Sequence, residues 1–102
     1  MNYAIEISPE AGAEITNAKN WYEEQQVGLG ESFVETLREH INLLKTNNPE
    51  HKIVFDDLRR VLVKRFPYVV YYKRYEQTKI VKIFAVLHDK RDTGFLKQKF
   101  KP

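Results

Sequence analysis

Arginine and histidine residues in the C-terminal half of this 102-residue sequence could together bind a phosphate and move a proton. The candidates for such a catalytic site are Arg60, Arg65, His88 and Arg91. Metal-independent RNA cleavage needs a base for the ribose 2′-hydroxyl, cations on the phosphate and an acid for the leaving oxygen. His88 and these arginines would supply such groups if adjacent strands bring them onto one face. The alternative is that they are exposed strand and loop residues that share no site.

Metal and cofactor sites find little support in the sequence. The three histidines, His40, His51 and His88, lie on different elements without the spacing of metal ligands, and the chain has no cysteine. The segment Gly28-Leu29-Gly30 links two predicted helices, whereas a phosphate-binding glycine loop leads from a strand into a helix. We therefore expect neither a bound metal nor a cofactor.

The charge of the chain is divided unequally between its halves. The net charge is +3, but residues 1–50 carry three basic and nine acidic residues, while residues 51–102 carry fourteen basic and five acidic ones. Nine of the thirteen aromatic residues also lie in the basic half. This half could bind a polyanion or an acidic protein segment, or it could simply present solvated strand faces.

Two helices are predicted near the N-terminus, after a strand over residues 3–7. Ser8-Pro9 is typical of a helix start, and this first helix should end before Gly28. A second helix is expected over residues 31–45, and the short link favours a helical hairpin. The apolar stripes of the two helices are Ala11, Ile15, Ala18 and Tyr22, and Phe33, Leu37, Ile41 and Leu44.

The remaining elements are predicted strands over residues 59–65, 69–75 and 81–88. In the last strand, alternation places Val81, Ile83, Ala85 and Leu87 on one face and Lys82, Phe84, Val86 and His88 on the other. We expect Phe33, Leu37 and Ile41 to pack against Val81, Ile83 and Ala85.

These elements predict an α+β fold of order β-α-α-β-β-β, with the helical hairpin packed on a small, mostly antiparallel sheet. The length fits one domain over residues 1–102. No apolar run approaches the roughly 20 residues of a membrane span, and no secretory signal is evident, so the expected location is the cytoplasm.

An ordered set of residues along the chain resembles the RelE/ParE toxin superfamily of type II toxin–antitoxin systems, most closely the plasmid-stabilisation proteins of its ParE-like branch. The set comprises Trp21-Tyr22-Glu23, Gly28-Leu29-Gly30, Phe33, Asn48-Pro49, Arg59-Arg60, Arg65-Phe66-Pro67-Tyr68, Tyr72, Ile83, His88 and Lys90-Arg91-Asp92. The resemblance covers residues 3–92 and implies the same fold order.

The resemblance implies a toxin that acts on one of two targets. RelE-like members cut mRNA on the ribosome, whereas ParE-like members poison DNA gyrase. RelE-like members typically carry an arginine where this chain has Tyr68, and they tend to end with a tyrosine or histidine where it continues Asp89-Lys90-Arg91-Asp92. These departures favour a ParE-like growth inhibitor. The alternatives are a ribosome-dependent endoribonuclease using Arg60, Arg65, His88 and Arg91, and an inactive member that retains antitoxin binding.

The resemblance also implies a cognate antitoxin as partner, in a toxin–antitoxin hetero-oligomer. Given the basic C-terminal half, we expect an acidic, amphipathic antitoxin segment that folds on binding. Its carboxylates would contact a set of basic residues, namely Arg59, Arg65, Lys73 and Arg74. The competing hypothesis is a basic antitoxin that binds the acidic helical hairpin near Glu23, Glu24 and Glu31.

Overall fold

The computed structural model of the chain describes residues 2–46, 51 and 53–91. Helix α1 spans Pro9–Gln25, and Ser8 caps it as predicted, because the Ser8 hydroxyl accepts the Ala11 N–H at 3.1 Å. Pro9 occupies the first turn, where no intrahelical N–H is needed. The buried stripe of α1 consists of Ala11, Ala18 and Tyr22. Among the described residues, no helix is long and apolar enough to cross a bilayer.

Helix α2 spans Leu29–Leu43 and begins two residues earlier than predicted. Gly28 makes the turn between the helices with φ of 90°, a conformation that glycine adopts without steric strain. The Glu23 carboxylate of α1 accepts the N–H groups of Gly28 at 2.9 Å and of Gly30 at 3.0 Å. This side chain thereby satisfies two amides at the start of α2 and links the two helices of the hairpin.

The sheet has five strands in the order β1-β5-β4-β3-β2. The strands are β1 Ala4–Ile7, β2 Ile53–Phe55, β3 Leu58–Leu62, β4 Tyr68–Tyr75 and β5 Ile80–His88, followed by a 3₁₀ turn over Asp89–Arg91. β1 runs parallel to β5, and the other neighbours are antiparallel. The predicted α+β fold is confirmed, and the structure adds the short strand β2 to the predicted order.

β2 and β3 are joined through a tight turn at Asp56 and Asp57. Phe55 pairs with Leu58, so only these two aspartates lie between the strands, and both have positive φ. Such a conformation matches the right-handed twist of a hairpin, and aspartate tolerates it better than most residues. The pair Asp56-Asp57 is thus the local feature of the sequence that marks the turn between β2 and β3.

The main core lies between the helical hairpin and one face of the sheet, which we call the helix side. Its centre contains aromatic rings at edge-to-face or tilted contacts, with centroids about 5 Å apart. These rings belong to Tyr22, Phe33, Phe66 and Tyr68. Leu37 and Ile41 of α2 extend the same core towards Val81 and Ile83 of β5.

The prediction that Ala85 and Leu87 share the face of Val81 and Ile83 is wrong. Tyr71 pairs with Ala85 and Tyr72 with Ile83, so Phe84 is an extra residue in β5. This bulge reverses the alternation beyond it, since one inserted residue moves each following side chain to the other face. Val86 therefore joins the helix-side core instead. Ala85 and Leu87 lie in a second apolar cluster on the far side of the sheet, with Leu58, Val69 and Tyr71.

Candidate functional site

The four residues predicted for RNA cleavage occupy different parts of the fold. Arg60 pairs with Tyr71 of the far-side cluster, so its side chain starts on the far side of the sheet. Arg65 lies in the exposed turn between β3 and β4 with φ of 74°. His88 ends β5 opposite Tyr68, at the same end of the sheet as Arg65. Arg91 belongs to the following 3₁₀ turn, and its side chain lies outside the described residues.

His88 lines a cleft of about 200 Å³ between α1 and the end of β5. Its ring lies 5.4 Å from the Tyr68 ring, and its Nδ1 accepts the Lys90 N–H at 3.1 Å. Trp21, 55% exposed, lines the same cleft. The Nδ1 atom is also 3.2 Å from the Asp89 carboxylate, and one nitrogen cannot donate to Asp89 while accepting from Lys90. These contacts place His88 at the strand end, where it helps to position the turn that follows.

The four residues predicted to contact an antitoxin are divided between the two faces. Arg59 pairs with Tyr72, and both side chains lie on the helix side. Arg74 lies on the same side, with its guanidinium carbon 4.3 Å from the centroid of the Tyr3 ring. Lys73 lies on the far side, 5.9 Å from the centroid of the Phe84 ring, and Arg65 lies in the turn. The structure thus brings together Arg59 and Arg74.

A His–Tyr pair beside Arg59 was not among the predicted site residues. His51 Nδ1 lies 2.5 Å from the Tyr72 hydroxyl, and Arg59 donates to the His51 carbonyl at 2.7 Å. Burial raises the pKa of Tyr72 to about 12, although Arg59 and Arg74 act in the opposite direction. Burial, Arg59 and His40 lower the pKa of His51. Both pKa shifts are therefore consistent with a neutral His51 imidazole whose Nδ1 atom accepts a hydrogen bond from the protonated Tyr72 hydroxyl.

The second notable group surrounds Glu76, in the turn between β4 and β5. The Tyr3 hydroxyl donates to the Glu76 carboxylate, and the Nε atom of Arg74 lies 3.9 Å from it. The Nζ atom of Lys79 lies 5.3 Å from the centroid of the Tyr3 ring. The hydrogen bond from Tyr3, followed by the charges of Arg74, Lys79 and Arg59, lowers the pKa of Glu76. We call Arg59, Arg74 and Lys79 the helix-side cation cluster.

Tyr72→Phe is expected to reduce the loss of stability at alkaline pH. The pKa of Tyr72 is about 12 in the folded chain and 10.0 as its ordinary value, so the unfolded chain releases this proton first. The contribution of Tyr72 to stability is therefore complete below pH 10 and is lost as pH rises towards 12. Urea unfolding at pH 8, 10 and 11 measures this change. Tyr75→Phe, at an exposed position of the same strand, should retain the alkaline decline of the unmodified chain.

No group of three histidine, aspartate or glutamate side chains suited to a metal ion occurs within residues 2–46, 51 and 53–91. The described residues form a small α+β domain with two notable surface features, which are the helix-side cation cluster and a separate cleft beside His88.

Comparison with known proteins assigns this fold to a family. A family model described as the ParE toxin of the type II toxin–antitoxin system parDE matches residues 5–93. The chain belongs to this ParE toxin family, and the resemblance seen in the sequence is confirmed. Among the curated proteins, none matches this sequence.

A solved structure supports the fold independently. It is described as a chromosomal ParDE TA system from P. aeruginosa, and one of its chains superposes with a TM-score of 0.73. The alignment covers 84% of this chain and 95% of that chain, at 12% sequence identity. Similarity at this identity concerns the fold alone, because few side chains are shared.

Proposed function

We propose that this ParE-family protein inhibits bacterial growth through DNA gyrase and is neutralised by a cognate antitoxin. The observation that carries the proposal is the family match over residues 5–93, which includes both helices and, apart from Ala4 of β1, all five strands. ParE-like members of the superfamily that the sequence resembles act on gyrase rather than on RNA. The match therefore supports a type II toxin of this branch.

The positions of the basic residues also favour gyrase over mRNA cleavage as the proposed activity. Arg60 and His88 start from opposite faces of the sheet, whereas a nuclease site needs its base and its phosphate-binding cations around one scissile bond. The Lys90 N–H donates to His88 Nδ1, so proton transfer by this histidine would fall to its Nε2 atom. A gyrase inhibitor needs no such convergence of groups, since it acts by binding.

The experiment is induction of the chain in a bacterial host, with a DNA-damage reporter and primer-extension analysis of mRNA read in parallel. We expect growth arrest with filamentation and activation of the DNA-damage reporter, while ribosome-bound mRNA remains intact. Purified protein should inhibit DNA supercoiling by gyrase in vitro. Co-expression of the antitoxin encoded beside the gene should restore growth.

Two outcomes would contradict the proposal. Cleavage within ribosome-bound codons, abolished by His88→Ala or Arg65→Ala, would establish the endoribonuclease alternative. Normal growth of cells that contain the protein, combined with binding of the antitoxin by that protein, would establish an inactive member that retains only antitoxin binding.

A further inference from the structure

The cations on the two faces of the sheet differ in the number of carboxylates that lie near them. On the far side, Lys73 lies 3.8 Å from the Asp56 carboxylate and Lys82 lies 3.6 Å from the Glu6 carboxylate. Each of these lysines thus has a carboxylate of its own. On the helix side, by contrast, the charges of Arg59, Arg74 and Lys79 all act on the single carboxylate of Glu76. The helix-side cation cluster therefore retains an excess of positive charge.

Arg74 is the least satisfied member of this cluster. Its side chain is only 9% exposed, and its buried Nε atom has no hydrogen-bond acceptor among the described residues. The Glu76 oxygen, 3.9 Å from Nε, is near enough for electrostatic attraction but too far for a hydrogen bond. A buried charged donor without an acceptor is unfavourable. The site is therefore incomplete with Glu76 alone.

Glu76 is placed so that another carboxylate can replace it. Its side chain is 67% exposed in the turn between β4 and β5, so it can move into solvent without disturbing the core. An incoming carboxylate would then meet the Arg74 guanidinium and the Tyr3 hydroxyl. Arginine and carboxylate groups form paired hydrogen bonds whose geometry is specific as well as strong.

We infer that the helix-side cation cluster is a carboxylate-binding site, which holds Glu76 in the free toxin and an aspartate or glutamate side chain of the antitoxin in the complex. This inference rests on the proposed neutralisation by an antitoxin. It narrows the four predicted contact residues to Arg59 and Arg74 and adds Lys79, Tyr3 and Glu76 to the site.

A protein segment fits this site better than a nucleic acid does. Tyr3 N–H donates to the Lys45 carbonyl at 2.9 Å, which places the site beside the C-terminal end of α2. At that end of α2 the Leu43 side chain is 65% exposed, so the same end of the helix offers an apolar contact to an acidic, amphipathic segment. A nucleic acid instead binds to exposed cations that follow its phosphate backbone. The far-side lysines Lys73 and Lys82 already have carboxylate partners, so they are less suited to that role.

The test measures the affinity of the purified toxin for the full-length antitoxin encoded next to its gene. Glu76→Gln keeps the shape of the side chain and removes the competing charge, so we expect affinity to rise about threefold or more. Arg59→Gln removes one of the binding cations and should weaken the complex about tenfold. Lys82→Gln removes an equal charge from the far side and serves as the matched control, with affinity changed less than about twofold.

Because Glu76 lies in an exposed turn, we expect the Glu76→Gln variant to fold. The inference therefore remains testable even if substitution of the buried Arg74 prevents folding. Weaker or unchanged binding with Glu76→Gln, or equal losses with Arg59→Gln and Lys82→Gln, would overturn the inference while the complex itself still forms. Absence of any complex between the unmodified partners would instead overturn the proposed neutralisation, and the inference with it. If Arg59→Gln abolishes binding of a single-stranded RNA oligonucleotide and leaves antitoxin affinity intact, the cluster binds phosphate instead.

Discussion

Leu37→Ala is expected to lower the free energy of unfolding by about 2–5 kcal/mol. Leu37 is 2% exposed and lies in the helix-side core with Phe33, Ile41, Val81 and Ile83. Removing three carbons from this position loses the transfer free energy of the side chain and leaves a cavity that close packing cannot fill completely. Urea unfolding followed by far-UV circular dichroism measures the change.

Leu43→Ala provides the matched control, because it makes the same substitution in the same helix. Leu43 is 65% exposed, so its loss should change the free energy of unfolding by no more than about 0.5 kcal/mol. The comparison uses the same pair of residue types and contrasts a buried position with an exposed one. Similar effects at the two positions would show that the buried stripe of α2 does not stabilise the fold in the way described.

The helices could be predicted from the sequence because their determinants are local. Ser8 and Pro9 define the start of α1, and Gly28 defines the turn to α2. The stripe of apolar residues in α2 has the helical period, and the structure buries Phe33, Leu37, Ile41 and Leu44 as expected. Each of these features depends on residues within one or two turns of the chain.

The faces of β5 could not be predicted, because their alternation changes within the strand. The extra residue at Phe84 depends on how β5 pairs with β4, and nothing in the residue types near Phe84 marks a bulge. Strict alternation therefore placed Ala85 on the wrong face. The apolar character of both faces near Ala85 removed the polar–apolar contrast that would have revealed the change.

The candidate site depends still more on pairing between distant strands. Arg59 and Arg60 are adjacent in sequence, but their partners Tyr72 and Tyr71 lie in the helix-side core and the far-side cluster. Without this strand register, the sequence does not indicate which of the two arginines lies on which face of the sheet. The contact between His51 and Tyr72 joins residues that are 21 positions apart, so no local pattern indicates it.

Gly30→Ala is expected to destabilise the fold by about 1–3 kcal/mol, although alanine is the better helix former. A Cβ atom at position 30 would lie 2.6 Å from the Lys19 carbonyl oxygen, which belongs to the backbone of α1. It would also lie 3.0 Å from a Glu23 carboxylate oxygen, the acceptor of the Gly30 N–H. The helices would have to separate, which weakens the cap that Glu23 provides.

Gly12→Ala supplies the control and should have the opposite sign. Gly12 lies within α1, where an added Cβ meets nothing within 4 Å, so the substitution should stabilise the chain by about 0.5–1 kcal/mol. Thermal and urea unfolding of both variants measure the pair. If Gly30→Ala also stabilises the protein, the helical hairpin does not require the close approach between Gly30 and Lys19. Stabilisation by both substitutions would show that helix propensity alone determines the effect at Gly30. Destabilisation by Gly30→Ala together with stabilisation by Gly12→Ala would establish that close backbone contact joins the two helices at this position.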